Sequence, residues 1–192
     1  MRLLFGSFFT LLLAAAIGLG ATWFTITRGV AFGAISIGAW TAWPKSGSTD
    51  IDPYARASIA RSGELPIGMG DGVAFYARTD DAGSGFDGRC AFTVGGMTPP
   101  ARYWTLTLYD LGGHLVANAI DRHGFTSAEI VRDADGRFAI NIAPRARPGN
   151  WLPTGGIEKF VLVLRLYDTP IGVASRTTRS GPMPAITRKG CS

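Results

Sequence analysis

The stretch YWTLTLYD at residues 103–110 returns in altered form as FVLVLRLYD at residues 160–168. Apolar and other residues alternate in both copies, with the period of two that is typical of a β-strand. One face of each predicted strand is wholly apolar and carries Trp104, Leu106 and Leu108 in the first copy and Leu162, Leu164 and Leu166 in the second. The two stretches therefore predict two central strands of an antiparallel sheet, with this face in the core.

The opposite face of these two strands is mixed. It carries Tyr103, Thr105, Thr107 and Tyr109 in the first copy and Val161, Val163, Arg165 and Tyr167 in the second. A guanidinium group among hydroxyls and aromatic rings can hold a carboxylate or phosphate. The alternative is that the stem of Arg165 crosses an open sheet face and its head group reaches water. We interpret Arg165, Tyr109 and Tyr167 as candidate residues for binding an anionic small molecule.

The composition indicates the fold class. The chain has 192 residues, and its 26 glycines and 11 prolines are spread between many short apolar runs. This pattern predicts one all-β domain, an antiparallel β-sandwich or jelly roll of about eight to ten strands. Asp52-Pro53 and Ser62-Gly63 predict one short helix between them. The net charge is +5, but the arginines are scattered, so nucleic acid is not predicted as a partner.

Residues 3–27 contain no charge and are long enough to cross a bilayer as a helix. A retained single-pass anchor in the inner membrane is favoured, and the flanking charges weakly favour a domain outside the cytoplasm. A signal peptide cleaved before Ala21 is the alternative. The predicted organisation is therefore an anchor at 1–28, a first strand and linker at 29–50, and the β-domain at 51–192.

Turn residues predict the local connections. Residues 73–79 and 89–94 are interpreted as a hairpin, as are 128–132 and 137–143 around Asp135-Gly136. Residues 144–156 are interpreted as an ordered loop or a crossover that leads to the second central strand. The first strand is placed at 30–43, where Trp40 and Trp43 suit either the core or a membrane interface.

Cys90 and Cys191 are the chain's two cysteines. In an exported domain they are expected to form a disulfide, and the alternative is a buried free Cys90 with an unrelated terminal thiol. His114 and His123 lie in turns without a third ligand at a metal-binding spacing, so no metal is predicted. Phosphate-binding and dinucleotide-binding motifs are missing from the sequence, so no cofactor is predicted either.

Asp110 and Asp168 end the two central strands. If those strands are neighbours, the two carboxylates could face each other as a glycosidase pair. Aspartate at a strand end also caps turns through its side chain, and we favour this interpretation.

The motifs RYWTLTLYD at 102–110, NWLP at 150–153 and LVLRLY at 162–167 together resemble the family known as domain of unknown function 1214, over about Val73 to Ile186. The resemblance implies an all-β, jelly-roll-like module, often found C-terminal to a companion domain numbered 1254. This chain resembles the short variety, in which one membrane segment precedes the module. The resemblance implies no established activity or cofactor. The family-like positions, carried over as candidates for a site, are Asn118, Arg122, Asn150, Trp151 and Arg165.

Two functions are compatible with these observations. The first is a membrane-anchored bacterial envelope domain with a binding or structural role. The second is an envelope hydrolase acting on a sugar or acyl substrate, with Asp110, Asp168 or His123 in acid–base roles. The hypotheses differ in whether polar side chains converge in one concave pocket. The oligomeric state is not indicated by the sequence.

Overall fold

A computed structural model describes residues 2–28, 33–68, 70–170 and 182–191 of the chain. Two helices and ten strands lie within these ranges. The helices are α1 (Arg2–Arg28) and α2 (Pro53–Ser62). The strands are β1 (Ile35–Ile37), β2 (Trp40–Ala42), β3 (Gly72–Ala77), β4 (Cys90–Gly96), β5 (Tyr103–Tyr109), β6 (Gly124–Thr126), β7 (Phe138–Ala143), β8 (Asn150–Pro153), β9 (Val161–Tyr167) and β10 (Ala185–Cys191).

The strands form two sheets. The first has the order β1-β2-β3-β9-β5-β6 and the second the order β10-β4-β7-β8. Within the described residues the strands pair antiparallel, except that β7 and β8 run parallel. The predicted all-β, sandwich-like fold preceded by a long apolar helix is confirmed.

The two copies of the repeated stretch are β5 and β9, and they pair with each other near the middle of the six-stranded sheet. Their register sets Leu106 opposite Leu164, and both side chains are 1% exposed. The predicted core face is therefore confirmed.

The core lies between the two sheets and draws large apolar side chains from both. Phe75 and Leu164 come from the six-stranded sheet, and Phe92 and Ile140 come from the four-stranded sheet. Phe160, which precedes β9, stacks on Phe86 with ring centroids 4.8 Å apart. One continuous apolar cluster thus joins both sheets.

Helix α2 begins and ends where the predicted caps stand. The side chain of Asp52 accepts hydrogen bonds from the backbone N–H groups of Tyr54 (2.9 Å) and Ala55 (3.2 Å). Pro53 occupies the first turn. At the other end Gly63 adopts φ 69° and donates to the Ile59 carbonyl oxygen. A left-handed residue in this place favours glycine, which has no Cβ to clash.

The single strand predicted at 30–43 is a short hairpin instead, because a turn at residues 38–39 separates β1 from β2. The first three residues of that prediction, 30–32, lie outside the described ranges. Strand β2 pairs with β3, so the hairpin extends the six-stranded sheet. Trp40 is 1% exposed, and its Nε1 donates to the Pro184 carbonyl oxygen at 2.7 Å.

The hairpin predicted from residues 73–79 and 89–94 is wrong. Strand β3 belongs to the six-stranded sheet and β4 to the four-stranded sheet, so residues 78–89 cross between the layers. A turn-rich segment is compatible with both arrangements, and burial of both apolar faces in one core favours the crossing. The hairpin around Asp135-Gly136 forms its turn, but residues 128–132 contribute only an isolated bridge from Arg132 to Phe138.

The loop predicted at 144–156 contains β8, which packs beside β7 in the parallel direction. Residues 144–149 therefore carry the chain back from the end of β7 to a point beside Ile140, where β8 begins. The Nδ2 of Asn141 donates to the Pro148 carbonyl oxygen at 3.0 Å, and this bond holds the returning segment 144–149 against the sheet. The arginine-bearing tail at 171–181 lies outside the described ranges.

Helix α1 contains the segment Leu4–Thr27, with a mean hydropathy of 2.0 and none of it buried against the protein. By length and composition it is able to cross a membrane.

Candidate functional site

Arg165 lies on β9, on the face of the six-stranded sheet that points away from the core. Its neighbours across the sheet are Ala74 on β3 and Thr105 on β5. Its Nη1 donates a hydrogen bond to the Tyr109 hydroxyl oxygen at 3.0 Å, and the guanidinium carbon is 5.3 Å from the centroid of that ring. The structure thus brings together two of the residues singled out in the sequence.

Beside Arg165 a cavity of about 700 Å³ opens on this outer face. Its floor is the sheet, and its walls are α2, the segment 64–67 and the last turn of α1. Many of its lining residues are apolar, among them Ile26, Trp43, Ile59, Leu65 and Ile67. A space of this size and lining suits a ligand of ordinary small-molecule dimensions.

Polar groups in the cavity come from three separate elements. The hydroxyl of Tyr76 on β3 donates a hydrogen bond to Oε1 of Glu64, which follows α2. Burial raises the pKa of the Glu64 carboxyl above its ordinary value of 4.5, and the positive charges of Arg165 and Arg78 lower it by less. The cavity therefore holds two permanent cations and one carboxyl group that is held toward its neutral form.

Ser58 on α2 also lines the cavity. Its hydroxyl oxygen is buried and, within the described residues, has no hydrogen-bond partner. Buried polar groups are nearly always paired with protein or with an ordered molecule. The hydroxyl is therefore available to a molecule held in the cavity.

Tyr167 shares the outer face with Arg165 and packs against Tyr103, with ring centroids 6.1 Å apart. It is not among the residues that line the cavity.

Asn118 lies in the loop between β5 and β6, away from Arg165. Its Nδ2 donates to the carbonyl oxygens of Val116 (3.1 Å) and Arg122 (2.9 Å). Its Oδ1 accepts from the backbone N–H of Arg122 at 3.1 Å. These bonds give Asn118 a role in shaping the loop.

Arg122 and Trp151 meet at another place. The Nη1 of Arg122 donates to the Trp151 carbonyl oxygen at 3.2 Å, and its guanidinium lies 5.1 Å from the centroid of Phe125. Phe125 lies on β6 and Trp151 on β8, which are edge strands of the two sheets. The contact therefore ties the two sheet edges together.

Asn150 is 6% exposed, and backbone groups use its amide. Its Nδ2 donates to the carbonyl oxygens of Val131 (2.8 Å) and Ala139 (3.0 Å), and its Oδ1 accepts from Val131 N–H (2.9 Å). The buried amide of Asn150 therefore links the backbone at Val131 to the backbone of β7 at Ala139.

The carboxylates considered for a hydrolase do not meet. The register of β5 and β9 sets Tyr103 opposite Tyr167 and Tyr109 opposite Val161. Asp110 and Asp168 therefore lie at opposite ends of the strand pair, about 26 Å apart at the usual rise of a strand. Asp110 instead accepts from the backbone N–H of His114 at 2.8 Å, a bond that is the main cause of the lowered pKa of its carboxyl.

His123 is held within its own loop. Its Nδ1 donates to the Val116 carbonyl oxygen at 2.9 Å, and its Nε2 lies 3.0 Å from Oδ1 of Asp121. Its carbonyl oxygen accepts from the backbone N–H of Leu108 at 3.0 Å, beside the end of β5, and His123 does not line the cavity beside Arg165.

Sequence patterns alone did not indicate that Tyr76, Ser58 and Glu64 line the cavity beside Arg165. Tyr76 shares a strand face with Ala74, so the period of β3 could have placed it on the outer face. Ser58 and Glu64 gave no such signal, because their positions depend on where α2 packs.

The fold and this cavity define a class of protein: a β-sandwich module with an N-terminal apolar helix and a mixed polar and apolar cavity on the outer face of one sheet. The chain belongs to the family described as Protein of unknown function (DUF1214), whose model matches residues 71–171. The resemblance seen in the sequence is confirmed.

A solved structure shares this fold. The VPA0106 protein from Vibrio parahaemolyticus is similar with a TM-score of 0.58 and 19% identity, over 73% of this chain and 36% of that one. A putative uncharacterized protein from Burkholderia cenocepacia is similar with a TM-score of 0.38 and 17% identity, over 62% of this chain and 29% of that one. The chain thus spans about a third of the length of these two proteins. No curated protein matches it.

Proposed function

We propose that this protein is a single-pass protein of the bacterial inner membrane whose β-domain, on the extracytoplasmic side, binds an anionic amphiphile. One observation carries the proposal: a cavity of about 700 Å³, walled partly by the end of the membrane-length helix, holds Arg165, Arg78 and the Ser58 hydroxyl, which has no partner among the described residues, within a mostly apolar lining.

The anchor is supported by the exposed apolar surface of α1. Its 24-residue apolar segment spans about 36 Å as a helix, against a bilayer core of about 30 Å. Phe8 and Leu11 are among its large apolar side chains left uncovered by the domain. Near its end Trp23 lies under the guanidinium of Arg61, 4.7 Å from the ring centroid, an arrangement suited to a membrane interface.

The topology has a direct test in living bacteria. A reporter that is active only in the cytoplasm, fused after Ser192, is expected to give no signal, because the anchor places the domain outside. An alkaline phosphatase fusion at the same place is expected to be active. A bright cytoplasmic reporter, or a mature protein that begins at Ala21, would contradict the anchored topology.

The residues that line the cavity support a particular ligand chemistry. Ile26 and Thr27 of α1 border the cavity, so its wall lies where the helix would leave the bilayer. Apolar walls suit an alkyl chain, and a guanidinium fork suits a carboxylate or phosphate head group. The Ser58 hydroxyl adds one hydrogen bond for that head group or its linkage. A single-chain amphiphile drawn from the membrane surface meets these requirements.

Arg165 is expected to provide the main contact with the anionic head group. In phosphatidylcholine nanodiscs carrying the full chain, decanoate is expected to raise the melting temperature, and Arg165→Met is expected to weaken the apparent Kd by about 10–100-fold. Arg165→Lys should retain part of the binding, because a point charge lacks the planar fork. The measurement is a thermal-shift titration, with decanol as the uncharged probe.

Matched variants separate ligand binding from general effects. Arg137→Met removes an exposed cation outside the cavity and is expected to leave the titration unchanged. Ser58→Ala is expected to leave the free protein at least as stable, since the hydroxyl has no partner in the part of the chain that the structure describes, and yet to reduce the stabilisation by decanoate. Equal shifts in wild type and Arg165→Met would place the binding elsewhere.

Because Glu64 lines the same cavity, binding of an anion there is expected to depend on pH. The carboxyl is neutral below its raised pKa, so the cavity is more positive at low pH and an anion binds more tightly there. Binding of decyl sulfonate, which stays charged throughout, is expected to strengthen as the pH falls from 7 toward the pKa of Glu64. Glu64→Gln is expected to bind as tightly at pH 7 as wild type does in acid. A pH response that survives Glu64→Gln would contradict this assignment.

A further inference from the structure

A second cavity, of about 450 Å³, lies on the opposite side of the sandwich, on the outer face of the four-stranded sheet. This second cavity opens between the segment 144–149 and the end of β10. Thr93 of β4 and Asn141 of β7 form its floor and contact each other at 3.2 Å. It shares no lining residue with the cavity beside Arg165.

The lining of this second cavity is strongly basic. Arg89, Arg145, Arg147 and Lys189 border it, and among the described residues no aspartate or glutamate does. Nearby Asp87 engages Arg89 through both carboxylate oxygens, at 3.1 and 2.7 Å. In the part of the chain that the structure describes, the side chains of the other three cations form no ion pair.

The fold itself brings these cations together. Arg145 and Arg147 lie on the segment 144–149, which has to return along β7 because β8 runs parallel to β7. Pro144 and Pro148 narrow the backbone freedom of that segment, and the bond from Asn141 to Pro148 attaches it to the sheet. Lys189 lies on β10, whose last residue, Cys191, pairs with Cys90 on β4. Three parts of the chain far apart in sequence thus present positive charge to one concave surface.

We infer that this basic cavity is a binding site for a polyanion that carries at least two phosphate or carboxylate groups. Three cations without ion-pair partners repel one another, and a multiply charged anion relieves that repulsion. The two arginine forks can each take two oxygens of one such group. The floor adds the Thr93 hydroxyl and the Asn141 amide as further hydrogen-bonding groups. The site is independent of the amphiphile site, because the two occupy opposite faces of the sandwich.

Inorganic triphosphate is the probe for the test, added to the full chain in phosphatidylcholine nanodiscs at physiological ionic strength and followed by calorimetry. Arg145→Gln combined with Arg147→Gln is expected to weaken binding by tenfold or more, because each lost charge-assisted bond accounts for about a tenfold change. Arg132→Gln combined with Arg137→Gln removes the same charge elsewhere on the domain and is expected to change binding less than twofold. Arg165→Met is expected to bind triphosphate as wild type does.

The phosphate chemistry has two sources, dissolved polyanions and acidic lipid head groups, and the bilayer distinguishes them. If phosphatidylglycerol in the nanodisc competes with triphosphate, the site faces head groups; if it does not, the site takes a dissolved anion. Two results would overturn the inference: wild-type protein that binds no triphosphate, and a control pair that loses as much affinity as Arg145→Gln with Arg147→Gln. The second result would mean that net charge alone attracts the probe.

Discussion

Trp40→Ala is expected to lower the free energy of unfolding by about 3–5 kcal/mol, the usual range for removing a large aromatic side chain from a core. Trp40 is 1% exposed, and its Nε1 donates to the Pro184 carbonyl oxygen, which precedes β10. The substitution therefore opens a cavity and also leaves that buried carbonyl without its donor. Urea denaturation of the full chain in neutral detergent, followed by far-ultraviolet circular dichroism, measures the change.

Trp43→Ala is the matched control for this prediction. Trp43 follows the same hairpin but lies partly exposed in the lining of the cavity beside Arg165, edge-on to Tyr76 with ring centroids 6.0 Å apart. Its loss is expected to cost on the order of 1 kcal/mol, the value of such an aromatic pair. If the two substitutions destabilise the protein equally, the hairpin of β1 and β2 is not anchored in the core through Trp40. A fragment that starts at Ile51, and therefore lacks β1 and β2, would then be expected to fold without this hairpin.

Loss of the Cys90–Cys191 bond is expected to lower the free energy of unfolding by about 2–5 kcal/mol. The structure places the two sulfur atoms at bonding distance, and the strand register sets the two residues opposite each other on β4 and β10. The loop that the bond closes has a sequence separation of 101, which in the chain-entropy model corresponds to about 4.7 kcal/mol. Cys191→Ser tests this cleanly, because Cys191 is exposed and its replacement leaves no cavity.

Reductant supplies the control for the disulfide. Wild-type protein recovered from the envelope is expected to show no alkylatable thiol under denaturing, non-reducing conditions, and to fall to the stability of Cys191→Ser when reduced. The variant itself is expected to be insensitive to reductant. Two free thiols in the recovered protein, or a wild type that reductant leaves unchanged, would show that the bond does not form in the cell. An oxidised pair would also support an extracytoplasmic domain, since such bonds persist in oxidising compartments.

The sequence predicted well those features that depend on neighbouring residues. The alternation in residues 103–109 and 161–167 defined the core faces of β5 and β9, because side chains along a strand point to opposite sides whatever the strand pairs with. The caps at Asp52 and Gly63 defined α2, because each bonds within its own helix. The placement of Arg165 on the outer face followed from the same alternation. Cysteine counting led to the Cys90–Cys191 pair in the same way, without any geometry.

The errors have a common physical origin. Residues 73–94 read as a hairpin because their turn signals are local, but the choice of sheet for each strand depends on which distant strands bury its apolar face. Strand β8 was missed for a similar reason, since four residues rich in turn-formers become a strand only beside β7.

What the sequence by itself determined was the class of fold, the long apolar helix, the faces of the two central strands and the position of Arg165 on the outer face of one of them. Only the tertiary structure decided what Arg165 faces. Ser58 and Glu64 line the cavity beside it because α2 and the segment after it lie over the outer face of the sheet, and Arg145 shares a cavity with Lys189 because β8 runs parallel to β7. Both sites join residues far apart in the chain, and such contacts are selected by the burial of whole faces, which no local pattern records.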